Sequence, residues 1–455
     1  MALIDRRFAL TREKRVSALS HFSGTIRTLI EYADGEEITQ RVRTFSQASY
    51  DEILFAFGAL SGVKGLAIVS HGAIGCAASN LYFREKGEAK WFSTNLSEKD
   101  SILGGDEILR AVTLRAARTP GVEAVVIVGS PVVEINNDDA RAVIAELEEE
   151  TDAKLIYLNT AGFKSKSPFT GYDIAFHGIL KELVEKTDEK REFLNVLSVT
   201  EPPRSVASVI KALNALGIRY NLLSSVKAVR NASAARVSVS LNPNDSAYLG
   251  KGLEEAFGVK YIDAAAPIGL AATRRFILEI ASAFGMSDDA ERYVREQEES
   301  VTDVIEKKPL RGKLAFISAE LSAASGYAAL VKDLGGEAVG VSVTEVDLDN
   351  REIVKGFDGE TTAIIANGQP FETANALCKR PVDYYIGLEG QTAFSSKFGA
   401  TPISLASDAF YVYDGIRAFA RRVETAKRPR TGENALYESG WLKRSGGWYV
   451  KREVK

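Results

Sequence analysis

Short runs of Val, Ile, Leu and Ala recur along the chain and alternate with longer amphipathic stretches. Most of these runs are continuous rather than interrupted by polar residues, which is typical of strands that are covered on both faces. The runs are residues 66–70, 124–129, 155–158, 194–198, 236–241, 314–317, 338–343, 362–366 and 384–386. The pattern therefore predicts strands of buried parallel sheets.

Between these runs, apolar residues recur at three- and four-residue spacing, which predicts amphipathic helices. The helical candidates are residues 102–117, 138–150, 206–216, 273–284, 287–307, 323–334 and 409–423. Alternation of strand and helix is typical of right-handed crossovers between parallel strands. We therefore predict an α/β fold made of doubly wound parallel sheets.

The length of 455 residues suggests roughly three domains, because a single core stops growing near ~250–300 residues. Charged segments at 186–192 and 306–312 mark the predicted boundaries. We predict an N-terminal extension (1–45), a first domain (46–190), a second domain (191–308), a third domain (309–425) and a C-terminal tail (426–455).

Composition narrows the range of functions. The formal net charge of −4 argues against a strongly basic nucleic-acid-binding protein. We find neither an apolar run of about 18 residues nor an apolar signal core at the N-terminus, so we predict no membrane partner. Two Cys and three His are too few for a self-contained zinc or iron–sulfur site, which needs about four such ligands. So few cysteines favour a reducing, cytoplasmic location.

Standard cofactor and hydrolase motifs are missing from the sequence: it has no dinucleotide fingerprint, phosphate loop or nucleophile elbow. The glycine turns at 104–105 and 387–390 are either plain turns or anion-binding helix entries. Cys378 is interpreted as a packed structural thiol. His21 and His177 have no sequence context that points to a function.

One loop carries candidate chemistry, namely His71-Gly-Ala-Ile-Gly-Cys76 after the run 66–70. Ligands of open parallel sheets bind at the carboxyl ends of strands. Gly72 and Gly75 would allow the backbone to approach a bulky group, and nearby N–H groups would hydrogen-bond cluster sulfurs. The residue types alone leave two interpretations open, a metal-ligating Cys76 or an inert thiol in a tight turn.

The segment His71-Gly-x-x-Gly-Cys76 resembles the central cysteine motif of the nitrogenase component 1-like family. Further segments resemble that family's motifs in the same order and spacing: 96–105 (LSEKDSILGG), 134–139 (EINNDD), 169–173 (FTGYD), and 267–269 (PIG) with Thr273. The resemblance extends from about 47 to 285 and continues as pattern only beyond 310. It implies three Rossmann-like domains per chain, in agreement with the predicted architecture.

The departures from the family pattern restrict the cofactor. Nitrogenase subunits each present three cysteines to an interfacial cluster, whereas here the first position resembles Ser49 and the third falls at Pro131, beside Ser130. Only Cys76 remains. A single cysteine resembles the beta-type subunits of the nitrogenase cofactor scaffold and of chlorophyllide reductase, whose partners supply three cysteines.

The resemblance thus implies a [4Fe–4S] cluster that is shared with an alpha-type partner in an α2β2 heterotetramer. Cys76 would be the metal ligand, and the cofactor-binding residues would include Gly75, Gly72, His71, Ser49 and Ser130. His71 either supports the cysteine loop by a hydrogen bond or caps the strand. Electrons would come from a separate ATP-dependent iron–sulfur protein, which is the only component that would use ATP. The family's catalytic metallocluster would lie in the partner.

Charged residues near this loop, 84–86 and 98–100, form either a solvated face or a docking surface for the electron donor. Ser97, Glu98, Asp138 and Asp139 are interpreted as helix-capping residues. The leading hypothesis is a beta-type subunit of a nitrogenase-like two-component reductase that transfers electrons to its partner's substrate site. Two alternatives are kept: a scaffold subunit for metallocluster assembly, and a structural partner without a cluster.

Overall fold

The computed structural model describes residues 15, 18–19, 21–33, 50–78, 87–163, 165, 167–347, 350–357, 362–388, 395–406 and 410–427. The chain divides into two compact units. The first unit is formed by the described parts of Met1–Ser17, Tyr50–Thr200 and Arg219–Asp263. The second unit is formed by the described parts of Ala18–Ser49, Glu201–Ile218 and Ala264–Lys455. It includes strand β1 (Phe22–Thr25) and helix α1 (Ile26–Ala33).

The first unit contains a four-stranded parallel sheet with the order β3-β2-β4-β5. Its strands are β2 (Leu66–His71), β3 (Lys90–Ser93), β4 (Ala124–Gly129) and β5 (Lys154–Asn159). The helices of this part of the chain are α2 (Glu52–Ser61), α3 (Ile74–Ala78), α4 (Glu98–Leu103), α5 (Asp106–Ala117), α6 (Pro131–Asn136), α7 (Ala140–Leu147) and α8 (Thr170–Glu182).

Both faces of this sheet are covered, which explains its continuous apolar runs. Side chains of a strand point alternately to opposite faces. Ile68 and Val126 lie in the core that α2 and α8 help to form. Val69 and Ile127 lie in the opposite core, which contains residues of α5 and α7.

The first unit also contains a second parallel sheet with the order β7-β6-β8-β9. Its strands are β6 (Arg191–Leu197), β7 (Tyr220–Leu222), β8 (Ala235–Ser240) and β9 (Lys260–Ile262). Helix α9 (Pro203–Ala215) belongs to the second unit, whereas α10 (Val226–Arg230), the 3₁₀ turn Asn231–Ala234 and α11 (Pro243–Phe257) belong to the first.

The second unit is built on a six-stranded sheet with the order β1-β12-β11-β10-β13-β14. Its further strands are β10 (Leu314–Ala319), β11 (Glu337–Val343), β12 (Ala363–Ala366), β13 (Tyr384–Gly387) and β14 (Thr401–Ser404). All neighbours are parallel except β1, which pairs antiparallel with β12. The remaining helices are α12 (Leu270–Ala283), α13 (Ser287–Lys307), α14 (Leu321–Asp333), α15 (Glu352–Lys355), α16 (Pro370–Lys379) and α17 (Val412–Thr425), with a 3₁₀ turn at Ser396–Phe398.

The predicted α/β class with parallel sheets is confirmed, and each of the nine apolar runs coincides with a strand. One predicted helix, 102–117, is instead part of two helices, α4 and α5, because the chain turns at Gly104 with a φ of +102°. The unpredicted strands β1, β3, β7, β9 and β14 are short and lie at sheet edges. The domain boundaries stay predictions, and the tail beyond residue 427 lies outside the described residues.

Helices α2 and α8 pack closely because Gly171 has no side chain. A Cβ at Gly171 would lie only 2.1 Å from the backbone oxygen of Glu52 and 2.8 Å from the nitrogen of Ala56. Two residues later, the buried Asp173 carboxylate accepts two hydrogen bonds of 3.0 Å from the buried Arg15 guanidinium. The motif residues 169–173 therefore tie an N-terminal residue to the helix pair beneath the first sheet.

Candidate functional site

The predicted site residues that the structure describes lie at the carboxyl ends of β2 and β4, which are neighbours in the first sheet. His71 is the last residue of β2 and is paired with Gly129, the last residue of β4. The next residue, Ser130, donates its backbone N–H to the His71 carbonyl over 3.0 Å. This register brings together two segments that are more than fifty residues apart in the sequence.

Cys76 lies in the short helix α3, and its side chain is half-buried. Its loop packs against the end of β4 through Gly72, where a Cβ would lie 2.1 Å from Ser130 Oγ and 3.9 Å from Cys76 Cβ. Only glycine therefore allows this close approach. Gly75 is exposed and has open space where a Cβ would be, so close packing does not require glycine there.

The thiol of Cys76 is held in its neutral form by its surroundings. Burial raises its pKa, and the Asp51 carboxylate raises it further, whereas the Ser130 hydroxyl lowers it. Ser130 is fully buried, and apart from this thiol its Oγ has no hydrogen-bond partner among the described residues. A bound metal ion would have to displace the thiol proton, which metal coordination readily does.

His71 makes contacts on the interior side of the loop. Its imidazole is fully buried, with Nδ1 3.2 Å from Thr94 Oγ1 and Nε2 3.4 Å from Asp138 Oδ2. Burial lowers the pKa of His71 to about 4. Burial and the nearby Asp106 carboxylate raise the pKa of Asp138. The hydrogen-bond partner of His71 is thus Thr94, which follows β3 and is not part of the cysteine loop, and both roles that the sequence left open for His71 stay predictions.

The structure describes all but one of the other residues that the sequence analysis discussed. Pro131 begins α6 and has no donor atom in its side chain. Ser49 lies outside the described residues. Cys378 is half-buried near the end of α16, and His177 Nδ1 lies 2.8 Å from the Tyr248 hydroxyl. Within the described part of the chain, no group of three or more His, Cys, Asp or Glu residues could hold a metal ion.

The capping predictions are confirmed in part. Ser97 caps α4 through a reciprocal pair of hydrogen bonds with Asp100, and Asp139 accepts the N–H of Ala142 at the start of α7. Asp138 is not a cap, because its carboxylate turns inward toward His71. Residues 84–86 lie outside the described part of the chain.

The edge that presents Cys76 also exposes large apolar side chains. Each of the four strands of the first sheet is followed by at least one of them: Ile74 after β2, Ile102 and Leu103 after β3, Ile135 after β4, and Phe163 after β5. Ile102 is 81% exposed and Ile135 is 71% exposed. The strands that these side chains follow are neighbours in one sheet, so all five side chains belong to segments at its carboxyl edge. We call these five residues the apolar edge.

Among the described residues of this edge, the arrangement offers a metal one thiol, that of Cys76. A single thiol fits one corner of a shared cluster and does not fit a cluster that this chain would hold alone. Sequence reasoning predicted Cys76, Gly72, His71 and Ser130, which the structure brings close together, but it did not single out Thr94, which contacts His71. A lone threonine after a short edge strand carries no signal of its own, since its contact with His71 depends on how the strands pair.

None of the helices in the described part of the chain has the length and apolar character needed to cross a membrane. The solved structure Nitrogenase Cp1 at pH 5 matches the fold with a TM-score of 0.75 at 18% identity, over 94% of this chain and 96% of that one.

Similar sequences point to one family. The chain is 28% identical over 350 residues to the nitrogenase iron-molybdenum cofactor biosynthesis protein NifE of Clostridium pasteurianum, covering 72% of this chain and 75% of that protein. It is 24% identical to the nitrogenase molybdenum-iron protein alpha chain of Methanothermobacter marburgensis (80% and 83% covered). It is 26% identical to one subunit of the light-independent protochlorophyllide reductase of Cereibacter sphaeroides (62% and 56% covered).

A family model described as nitrogenase component 1 type oxidoreductase matches residues 53–427, most of the chain. The predicted family is thereby confirmed by sequence and by fold. The chain belongs to the nitrogenase component 1 type oxidoreductase family.

Proposed function

We propose that this chain is a beta-type subunit of a nitrogenase-like two-component reductase, in which Cys76 supplies one thiolate to a [4Fe–4S] cluster shared with an alpha-type partner. One observation carries the proposal: the half-buried Cys76 thiol lies on the same edge of the sheet as the five exposed side chains of the apolar edge. A partner that covers this apolar surface would also enclose the thiol.

Ligand counting favours a heteromer over a homodimer. A cubane cluster has four irons, and each of them takes one terminal ligand, most often a thiolate. One cysteine from this chain and three from its partner satisfy all four, whereas two copies of Cys76 would leave two irons with weak ligands. Ser130 and, by resemblance, Ser49 would shape the pocket, and Pro131 contributes no ligand atom.

Electron transfer completes the proposed role. A separate ATP-dependent iron–sulfur protein would reduce the shared cluster, and electrons would then pass to substrate bound mainly by the partner of an α2β2 complex. A covered, apolar surrounding and hydrogen bonds to the sulfurs would tune the potential of the cluster. A reducing compartment would keep the Cys76 thiol free to ligate, in keeping with the predicted cytoplasmic location.

The beta-type assignment rests on the cysteine count. Similarity does not support it, because three of the relatives are named nitrogenase molybdenum-iron protein alpha chain, and the protochlorophyllide reductase relative is a subunit of a different enzyme. The identity of the subunit that co-purifies with this chain therefore decides the assignment. An alpha-type partner with three cluster cysteines would support the beta-type assignment. A beta-type partner would instead show that this chain is the alpha-type subunit.

Anaerobic co-purification with iron analysis tests the cluster. We expect the complex to contain four irons per heterodimer in this cluster and to give a [4Fe–4S] signal by electron paramagnetic resonance after reduction. Cys76→Ala should abolish or destabilise that signal, whereas Cys378→Ala is the matched control and should retain it. Full iron content and full electron transfer in the Cys76→Ala complex would refute the proposed ligation.

A second candidate is a scaffold subunit that binds a metallocluster precursor and passes it to another protein. The relative named cofactor biosynthesis protein NifE supports this alternative. Isotope-labelled iron distinguishes the two functions. A scaffold should transfer its labelled cluster to an acceptor protein, whereas a reductase subunit should retain the label through repeated turnover.

A further inference from the structure

A histidine at the end of a fully buried strand costs folding free energy unless its ring nitrogens find polar partners. His71 has no exposed surface, and its low pKa of about 4 reflects the cost of charging it there. Neighbouring positions of β2 are filled by apolar residues such as Ile68 and Val69. The polar contacts of His71 show what the imidazole does at this position.

The contacts form a chain that leads to the cysteine loop. The Gly72 N–H donates to Thr94 Oγ1 over 3.0 Å, and Thr94 Oγ1 lies 3.2 Å from His71 Nδ1. Gly72 is the residue that packs against Ser130 and lies next to Cys76 Cβ. A second bond, from the Leu96 N–H to the Gly72 carbonyl over 2.9 Å, fixes the same peptide segment from the same side.

The hydrogen atoms in this chain can be assigned by counting donors and acceptors. On the far side of the ring, His71 Nε2 lies 3.4 Å from Asp138 Oδ2, and neither atom has a hydrogen-bond partner among the described residues. A carboxylate attracts a proton and cannot donate one, so its position favours the ring proton on Nε2, the nitrogen that faces it. The Nδ1 atom is then an acceptor, and the Thr94 hydroxyl donates to it.

The alternative partners of the Thr94 hydroxyl are poorer. The carbonyl oxygens of Gly72 and Ser70 lie 3.4 and 3.5 Å from Thr94 Oγ1, farther than His71 Nδ1. If His71 were protonated on both nitrogens, the hydroxyl would have to turn to one of these carbonyls. A neutral imidazole with its proton on Nε2 therefore gives the best-satisfied arrangement.

Close packing holds the carboxylate in place. A Cβ at Gly105 would lie 3.0 Å from Asp138 Oδ2 and 3.2 Å from His71 Cε1, so the chain between α4 and α5 presses against both side chains. Asp106 is the charged group that acts on Asp138 from this side. Segments that follow β2, β3 and β4 thus converge on one imidazole.

The geometry points to His71 as the positioning residue of the Cys76 loop: it orders Gly72 through the Thr94 hydroxyl, while Asp138 keeps the ring proton on Nε2. This inference rests on the proposed function in so far as Cys76 is taken as the cluster ligand. Its consequence is that a well-ordered thiol is already present in the metal-free chain, in the position where the partner's thiolates would meet it.

The reactivity of Cys76 tests the inference in the metal-free full-length chain. In a Cys378→Ser background, Cys76 is the only thiol, and its alkylation rate by iodoacetamide reports how firmly the loop is held. Thr94→Val removes the hydroxyl and should speed alkylation about three- to tenfold, as expected for the loss of one hydrogen bond. Thr94→Ser keeps the hydroxyl and should restore the slower rate.

The ring tautomer provides an independent test that changes no residue of the cysteine loop 71–76. The chain has only three His, so nitrogen-15 NMR of labelled histidine, with His177→Gln and His21→Gln for assignment, resolves His71. We expect the Nε2–H tautomer at pH 7 and a shift of tautomer in Asp138→Asn. His177, which contacts Tyr248 elsewhere in the same unit, is the control, and His177→Gln should leave Cys76 alkylation unchanged.

Two results would overturn the inference: an Nδ1–H tautomer for His71 at pH 7, or equal alkylation rates in Thr94→Val and in the parent chain. Neither measurement involves iron. If these measurements contradicted the role of His71, the shared cluster would still be tested separately by iron analysis. Conversely, a chain that binds no cluster could still show that His71 positions Cys76.

Discussion

At the scale of single residues, glycines are what allow the site to assemble. Gly72 admits Ser130, Gly105 admits His71 and Asp138, and Gly129 lies beneath the Tyr157 ring, where a Cβ would be 2.3 Å from the phenol oxygen. The glycine-flanked cysteine loop could be recognised from the sequence. The residues that press against each glycine could not, because they come from other strands.

The low pKa of His71 predicts how stability depends on pH. The ordinary value is 6.5 and the folded value is about 4, so between these values the unfolded chain binds a proton that the folded chain does not. The free energy of unfolding should therefore fall as pH decreases from about 6.5 toward 4, by up to ~3 kcal/mol in total. The raised pKa of Asp138 acts in the opposite direction, above pH 3.8.

Urea denaturation between pH 7 and pH 5 measures this effect. Trp91 in β3 reports on the same sheet once the other two tryptophans are replaced by Phe. The parent chain should lose about 1 kcal/mol per pH unit more than His71→Gln near pH 5.5, while the half-buried His177 contributes equally to both chains. Parallel stability curves for the two chains would contradict the low pKa of His71.

At the scale of elements, helices α2 and α8 contact each other and pack on one face of the first sheet. Their contact depends on Gly171 for its close approach and on the buried pair Arg15–Asp173, in which Arg15 also donates to the Asn244 carbonyl over 2.9 Å. The sequence singled out residues 169–173 by resemblance alone. The structure supplies the physical reason, since glycine at 171 and aspartate at 173 each have a defined contact.

Gly171→Ala should therefore destabilise the first unit by about 1–3 kcal/mol or more, because the new methyl group would overlap backbone atoms rather than a movable side chain. The control is Gly62→Ala at the end of α2, where a Cβ meets nothing within 4 Å and φ is −80°. It should change stability by less than about 1 kcal/mol. Thermal unfolding followed by Trp91 fluorescence compares the two, and equal melting temperatures would refute this account of the helix contact.

At the scale of the whole molecule, the chain has the features of one part of a larger assembly. Among the described residues, eight large apolar side chains are exposed, and five of them belong to the apolar edge. Cys76 lies at the same edge, so in the proposed function the shared cluster and the partner would meet this chain at one place. Neither composition nor periodicity indicated this surface, because exposure is a property of the folded chain.

Ile102→Glu should weaken association with the partner about tenfold or more, since it would bury an unpaired charge in the interface. Its own folding should be nearly unaffected, because Ile102 is 81% exposed in the isolated chain. Tyr220→Glu, at an exposed apolar position in β7 of the same unit, is the matched control. Size-exclusion chromatography of the mixed subunits measures the effect, and unchanged complex formation by Ile102→Glu would exclude the apolar edge as the interface.

The sequence by itself determined the α/β class, the nine buried strands and the loop that carries Cys76. Strands buried on both faces require continuous apolar residues, and that requirement is visible along the chain. The short edge strands were not predictable, because a half-covered strand of three or four residues carries no such run.

Only the tertiary structure decided which groups meet. Thr94 and Asp138 come 23 and 67 residues after His71, and strand order and register alone bring them to the same imidazole. The same register gathers the apolar edge from four separate segments, each of which follows a strand, because the carboxyl ends of parallel strands lie side by side. A local pattern determines the elements, whereas the site depends on contacts between distant segments.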